Sequence, residues 1–233
     1  MSREYIIDGF ATEVVAPKNE DIDILLADAY HIRYNTRKAI YAYNQLQNLV
    51  SGSGNEDDCF YCHIYVDMLF QACGMINKRF WNIKDRPDGE NLLGEYEFSK
   101  ENYPILSSMI KDRNHIEHID EREYIQFHRD VLRGTFNVVF PDMNQEIKAA
   151  LLSEQKPISN ILNLEDMTYT IIEPCRKGGP LVTKKTELCK LYEEIEKLSV
   201  KSNLVWEKRV SQKTGEPYDH HHHQNQRLGN LAR

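Results

Sequence analysis

Apolar residues along this chain keep a helical beat from about position 19 to about 131 and turn to a strand beat beyond. From about Asn19 or Asp21 to Val50, the residues Ile22, Leu25, Leu26, Ala29, Ile32, Ile40, Tyr43, Leu46 and Val50 recur mostly at three or four positions. That spacing predicts a long amphipathic helix, with room for one break near Asn35. Ser51-Gly52-Ser53-Gly54-Asn55 is a connector short enough to join antiparallel neighbours. A second helix is expected from Asp57 to Trp81. Its residues Phe60, Ile64, Met68, Ala72, Ile76 and Phe80 are spaced by four, and Tyr61, Tyr65, Leu69 and Cys73 widen the stripe, so it should be the most buried helix. Asp85 to Gly89 reads as a turn and Asn91 to Ser99 as an irregular link. Pro104 fits the first turn of a third helix carrying Ile105, Leu106, Met109, Ile110, Ile116, Ile119, Tyr124, Phe127 and Val131, stopped by Gly134.

Beyond Gly134 the period shortens. Phe136 to Phe140 reads as a strand closed by Pro141-Asp142, and Ile158 to Leu162 with Met167 to Ile172 reads as a hairpin turning at Asn163 to Asp166. Lys177-Gly178-Gly179-Pro180 is a loop, and Leu188, Tyr192, Ile195 and Leu198 mark a helix from Lys184 to Val200 that would cover one face of the ribbon. The resulting organisation is an extended arm over 1–18, a helical bundle over 19–133, a β-ribbon with a helix over 134–200, and a polar tail over 201–233. The tail contains Trp206 and the tract His220 to His223, which is set aside from the fold argument. The fold class is therefore mainly α: an antiparallel helical bundle with a small C-terminal β-hairpin and a covering helix.

Composition narrows the classes. A chain of 233 residues, 41% hydrophobic, can bury one sizeable core with a small appendage. No apolar run approaches the roughly 18 to 20 residues that span a bilayer. The N-terminus lacks the apolar stretch and cleavage site of a signal peptide, so the expected compartment is the cytoplasm with no membrane contact. Five irregularly spaced cysteines fit free thiols in a reducing compartment better than a disulfide framework. A formal charge of −7 argues against a long, sequence-independent nucleic-acid surface, which needs many Lys and Arg contacts, but leaves room for a local phosphate site.

The densest chemistry lies in Lys111-Asp112-Arg113-Asn114-His115-Ile116-Glu117-His118-Ile119-Asp120-Glu121-Arg122, where four carboxylates, three Lys or Arg and two His share twelve residues. Ile116 and Ile119 keep the helical rhythm through it. At about 100° per residue, Arg113 falls four after Met109 and three after Ile110, on the apolar side, and Glu117 and Asp120 share that sector. An arginine there requires a partner, and Glu117, Asp120 and Arg122 are the secondary candidates around it.

Arg113-Asn114-His115-Ile116-Glu117-His118, an R-x4-H pattern with a polar first spacer on the third helix of a bundle, resembles the HEPN superfamily (higher eukaryotes and prokaryotes nucleotide-binding). The resemblance covers roughly 20–131, with the ribbon and last helix as an extension. It implies a metal-independent endoribonuclease of toxin or defence type, without cofactor. It also implies a homodimer in which two motifs meet, and an RNA substrate with an antitoxin or other protein partner. Arg113 would hold the scissile phosphate, His118 would move the proton at the 2′-OH or the leaving oxygen, and Asn114 would position them. The residue types suit those roles, since arginine offers a fixed fork of donors to phosphate and histidine titrates near neutrality. Five residues rotate side chains by about 140°, so Arg113 and His118 of one helix diverge, and a kink or a two-fold partner has to bring them together.

Other readings of the same residues stand beside this one. A non-catalytic helical interaction or nucleic-acid-binding module would use Arg113 and Glu117 as a buried structural pair. A metal site would use Asp112, His115 and His118, spaced by three, but the matched Glu-x-x-His motifs of a bundle di-metal centre are missing from the sequence, and no metal is expected. Cys59-Phe60-Tyr61-Cys62-His63 is half a zinc signature, better read as cysteines packed in a core. Tyr30, Tyr34, Tyr41, Tyr43, Tyr61 and Tyr65 suit either base stacking or the bundle interface, and the interface is preferred.

Overall fold

The computed structural model describes residues 3–7, 10–14, 20–52, 54–86, 88–109, 136–152, 160–174 and 181–215. In place of an extended arm, the chain opens with a hairpin. β1 (Arg3–Ile7) pairs antiparallel with β2 (Phe10–Val14), Ile7 opposite Phe10. Only Asp8-Gly9 separates the two strands in sequence, and Asp-Gly between short apolar pairs is a strong hairpin signal.

Helix α1 (Glu20–Asn48) and helix α2 (Glu56–Lys84) form the antiparallel pair expected from the apolar periodicity. Asp28 near the start of α1 meets Arg79 near the end of α2, and Tyr41 further along α1 meets Tyr65 nearer the start of α2. α1 runs unbroken through Asn35. The Asn35 amide donates to the His31 carbonyl at 2.8 Å and the Thr36 hydroxyl to the Arg33 carbonyl at 2.9 Å, so both polar side chains bond within the helix. α2 starts at Asn55, whose side chain accepts the Asp58 N–H at 2.8 Å, and Glu56, Asp57 and Asp58 place negative charge at the positive end of the helix.

Where the sequence suggested an irregular link, helix α3 spans Gly89–Tyr96. Leu92 and Tyr96, four apart, are buried on the bundle, and Glu97 ends the helix in the left-handed region at φ 53°. Gly89 is dictated by crowding: a Cβ there would stand 2.4 Å from the Ile83 carbonyl oxygen. A single 3-10 turn, Leu106–Ser108, follows Pro104. The rest of the expected third helix, from residue 110 to 135, lies outside the described residues.

The expected ribbon is part of a four-stranded sheet. β3 (Asn137–Val139) is parallel to β4 (Ile161–Asn163), and helix α4 (Gln145–Leu151) lies between them in sequence. β4 and β5 (Thr168–Pro174) form the predicted hairpin, and β6 (Leu181–Glu187) adds to the far side of β5, giving the order β3-β4-β5-β6. β6 corrects the reading that began a helix at Lys184. Val182, Thr183 and Thr186 are β-branched, and Lys184 pairs with Ile171, so the strand holds to Glu187.

Helix α5 (Leu188–Thr214) then runs well past Val200, into the stretch read as a polar tail. The polarity of that stretch is deceptive, because its inward positions find polar partners. Ser202, fully buried, lies 3.4 Å from the Thr36 hydroxyl, and Asn203 accepts from Arg33 at 2.7 Å. Lys213 reaches Asp23 at 2.8 Å while Tyr43, far along α1, meets Cys189, so α5 is antiparallel to α1. α5 packs mainly on α1 and touches β5 and β6. One core joins the helices to Val138, Phe140, Leu162, Tyr169 and Ile171 of the sheet.

α2 is half buried. Cys62, Val66, Leu69, Phe70, Cys73, Ile76 and Phe80 face inward, whereas Phe60 is 59%, Tyr61 48% and Ile64 37% exposed. The spacing of four placed Phe60, Ile64 and Ile76 on one stripe, but a true helix drifts about 40° per such step, so the stripe leaves the core toward its N-terminal end. By length and composition α2 is the one described helix that could cross a membrane, and 44% of its most apolar window is buried.

Candidate functional site

Arg113, Asn114 and His118, with Glu117, Asp120 and Arg122, lie outside the described residues, as do Asp112 and His115 of the metal reading. The structure does place the frame on either side of them. Upstream, Tyr103, Leu106 and Met109 are fully buried. The Asn77 side chain of α2 donates to the Leu106 carbonyl, and the Glu194 carboxylate of α5 accepts the backbone N–H of Ile105 at 3.1 Å and of Leu106 at 2.7 Å. The first N–H groups of a helical turn have no partner within it, and here a carboxylate from another helix supplies both. Burial raises the Glu194 pKa, while the two N–H bonds and Lys197 pull it back. Lys197 also lies 5.0 Å from the Tyr103 ring centre. Downstream, Phe136 stacks on His63 of α2 at 4.8 Å between ring centres and lies 6.2 Å from Tyr169. Both flanks of the motif-bearing segment are thus held on α2, at Asn77 and at His63, positions about 21 Å apart along the helix axis.

A second cluster of charge, which the sequence reading did not single out, sits where α1 starts and α2 ends. Asp28 is 3% exposed and takes Arg79 at 3.1 Å and Arg86 at 2.6 Å, both partly exposed. His31, one turn along α1, has its pKa lowered by partial burial and by Arg79, against an opposing pull from Asp28. Arg209 of α5, also buried, pairs with Glu95 of α3, and burial raises the Tyr96 pKa beside it. The cavity between Asp28, Tyr96 and Arg209 is only about 10 Å³, which fits a fastening of four helices and excludes a substrate site. The clue was available: Asp28 stands three after Leu25 and four before Ile32, on the apolar stripe of α1.

Cys59 and Cys62 fit the core reading. Burial raises the thiol pKa of both, that of Cys62 to about 12, and His63 is occupied by its stack on Phe136. Among the described residues no three His, Cys, Asp or Glu converge as a metal-ligand set. The tyrosines divide: Tyr43 is buried and stacked on Tyr192 at 4.2 Å, whereas Tyr41, Tyr61 and Tyr65 meet ring to ring on the outside of α1 and α2. An open groove of about 540 Å³ between α1 and α5 sets Lys197 against Glu193 and Glu196 beside Ile40 and Val200, a charge balance unsuited to phosphate. No protein-family model, no curated protein and no solved structure matches this chain.

Proposed function

We propose that this chain is a HEPN-like, metal-independent endoribonuclease of toxin or defence type, acting in the cytoplasm as a homodimer through Arg113 and His118. The observation that carries the proposal is the Arg-Asn-x-x-x-His run, which follows two long antiparallel helices and has both flanks fastened to the second of them. Arg113 binds the scissile phosphate and stabilises charge on its equatorial oxygens, and His118 moves a proton at the attacking or leaving oxygen. Asn114 orients the pair, Glu117, Asp120 and Arg122 are the charged neighbours that set Arg113, and the two-fold partner overcomes the divergence of Arg113 and His118 along one helix.

The test is incubation of a mixed-sequence RNA with wild type and His118→Ala, both shown folded by circular dichroism. Wild type is expected to leave 2′,3′-cyclic phosphate ends, EDTA should not stop it, and His118→Ala should be slower by about a hundredfold or more. His115→Ala should cut normally. Equal cutting by wild type and His118→Ala, or none by wild type, would falsify the proposal and leave an interaction module, a reading that the exposed aromatic residues of α2 favour.

A further inference from the structure

We infer that the outward face of α2 is a self-association surface, on which a second copy of this chain packs its own α2 antiparallel. The observation is a second, shorter apolar stripe on the outer side of α2, whose middle member Met68 is partly buried against the core. Starting at Asp57, alternate steps of four and three residues reach Tyr61, Ile64, Met68, Gln71, Met75 and Lys78. None of these positions is fully buried, and Tyr61, Ile64 and Met75 are 48%, 37% and 39% exposed. The four apolar members, Tyr61, Ile64, Met68 and Met75, form a short stripe of the kind by which one helix meets another lengthwise, and Asp57, Gln71 and Lys78 are its polar members. A helix resting on a globular core needs only the inward stripe, which α2 already has in Cys62, Leu69, Cys73, Ile76 and Phe80.

Charge selects the occupant and its direction. The seam begins in an acidic turn, with Glu56 and Asp57 exposed, and ends at exposed Lys78. A second copy laid parallel would set acid against acid at one end and lysine against lysine at the other. Laid antiparallel, each acidic turn lies beside the partner's Lys78, and the apolar middle of one seam meets that of the other. A two-fold axis near Met68 produces both contacts at once, as an isologous interface requires. The same acidic turn makes the aromatic cluster of Tyr41, Tyr61 and Tyr65 a poor stacking platform for RNA, whose backbone it would repel.

Area sets the strength. From Asp57 to Lys78 the helix rises about 32 Å, and a strip one helix wide, about 10 Å, offers roughly 320 Å² per chain. A stable interface needs about 800 Å² per partner. The Tyr41, Phe60 and Tyr65 side chains flank the strip and widen it, and an interface this small is expected to be weak and transient.

The inference does not depend on RNA cleavage. Sedimentation of the full chain from about 1 to 100 µM should show a monomer–dimer equilibrium, and Ile64→Lys, at an exposed site that leaves the core intact, should abolish the dimer. Lys78→Asp and Asp57→Lys should each weaken it, by about tenfold, since each sets like charges side by side and the two-fold repeats the clash. The double reversal should restore it. A monomer throughout overturns the inference. So does a dimer indifferent to Ile64→Lys, a double reversal no better than the singles, or co-sedimentation of the apolar face with phosphatidylcholine vesicles in place of self-association.

Discussion

Asp28 shows what one polar residue on an apolar stripe does. Its carboxylate is almost fully buried and holds two arginines that both reach solvent, so its removal strands no charge in the core. Breaking a fully buried pair costs about 3 to 5 kcal/mol, and with both arginines partly exposed Asp28→Ala should cost about 2 to 3 kcal/mol, read from urea unfolding at neutral pH. His31 beside it gives a pH signature. Its pKa is lowered in the fold, so the unfolded chain binds the proton more readily. The stability this group contributes is full above its unfolded value of about 6.5 and is lost as pH falls through the lower folded value. His31→Gln should therefore shrink the loss of stability between about pH 7.5 and 5.5, compared by urea midpoints. Cys62, buried with its pKa near 12, should resist iodoacetamide under native conditions, while exposed Cys189 should be alkylated. At this scale the sequence was legible in one direction only. Asp28 can be recognised as a polar residue on an apolar stripe, but its partners Arg79 and Arg86 lie more than fifty positions away, and periodicity carries no information about contacts across helices.

Elements were legible where apolar side chains did the packing, as in α1, α2 and the β4-β5 hairpin, and illegible where polar side chains did. α5 was ended at Val200 because Ser202, Asn203 and Arg209 look like tail residues, yet each is matched on α1 or α3. α3 was missed because only Leu92, Leu93 and Tyr96 mark its two turns. Glu194, the residue of α5 that receives the Ile105 and Leu106 N–H groups, could not be read as a cap from sequence because it comes from another helix. Its pKa is raised, with burial the largest cause. The stability it contributes is therefore greatest below the unfolded carboxylate value and declines as pH rises through the folded one. Glu194→Gln should keep an acceptor and remove that decline. Glu194→Ala should leave the two N–H groups without their acceptor and lower stability by about 1 to 2 kcal/mol. Urea unfolding of the three proteins at about pH 4 and pH 7.5, on either side of the titration, separates the two effects.

At the scale of the whole molecule, the mainly helical class with a small sheet was legible, because it follows from the change of period near Gly134. The sheet's sharing of one core with the helices was not, since that depends on contacts such as Phe70 with Tyr169 at 5.0 Å between ring centres. If two copies pair through α2, the melting temperature of the wild type should rise by a few degrees between about 1 and 100 µM, as mass action requires, and that of Ile64→Lys should not. The frame of the candidate site is also a matter of whole-molecule connectivity. β6 ends at Glu187 and α5 begins at Leu188, with the Leu188 N–H bound to the Met167 carbonyl at 2.8 Å. Strand and helix therefore meet without a hinge, and Glu194 stands about 10 Å along the helix from their junction. The sheet's outer edge and the Ile105–Leu106 amides are two ends of a single stiff lever, so that a ligand or chain gripping β6 would pull directly on the backbone that leads into Arg113.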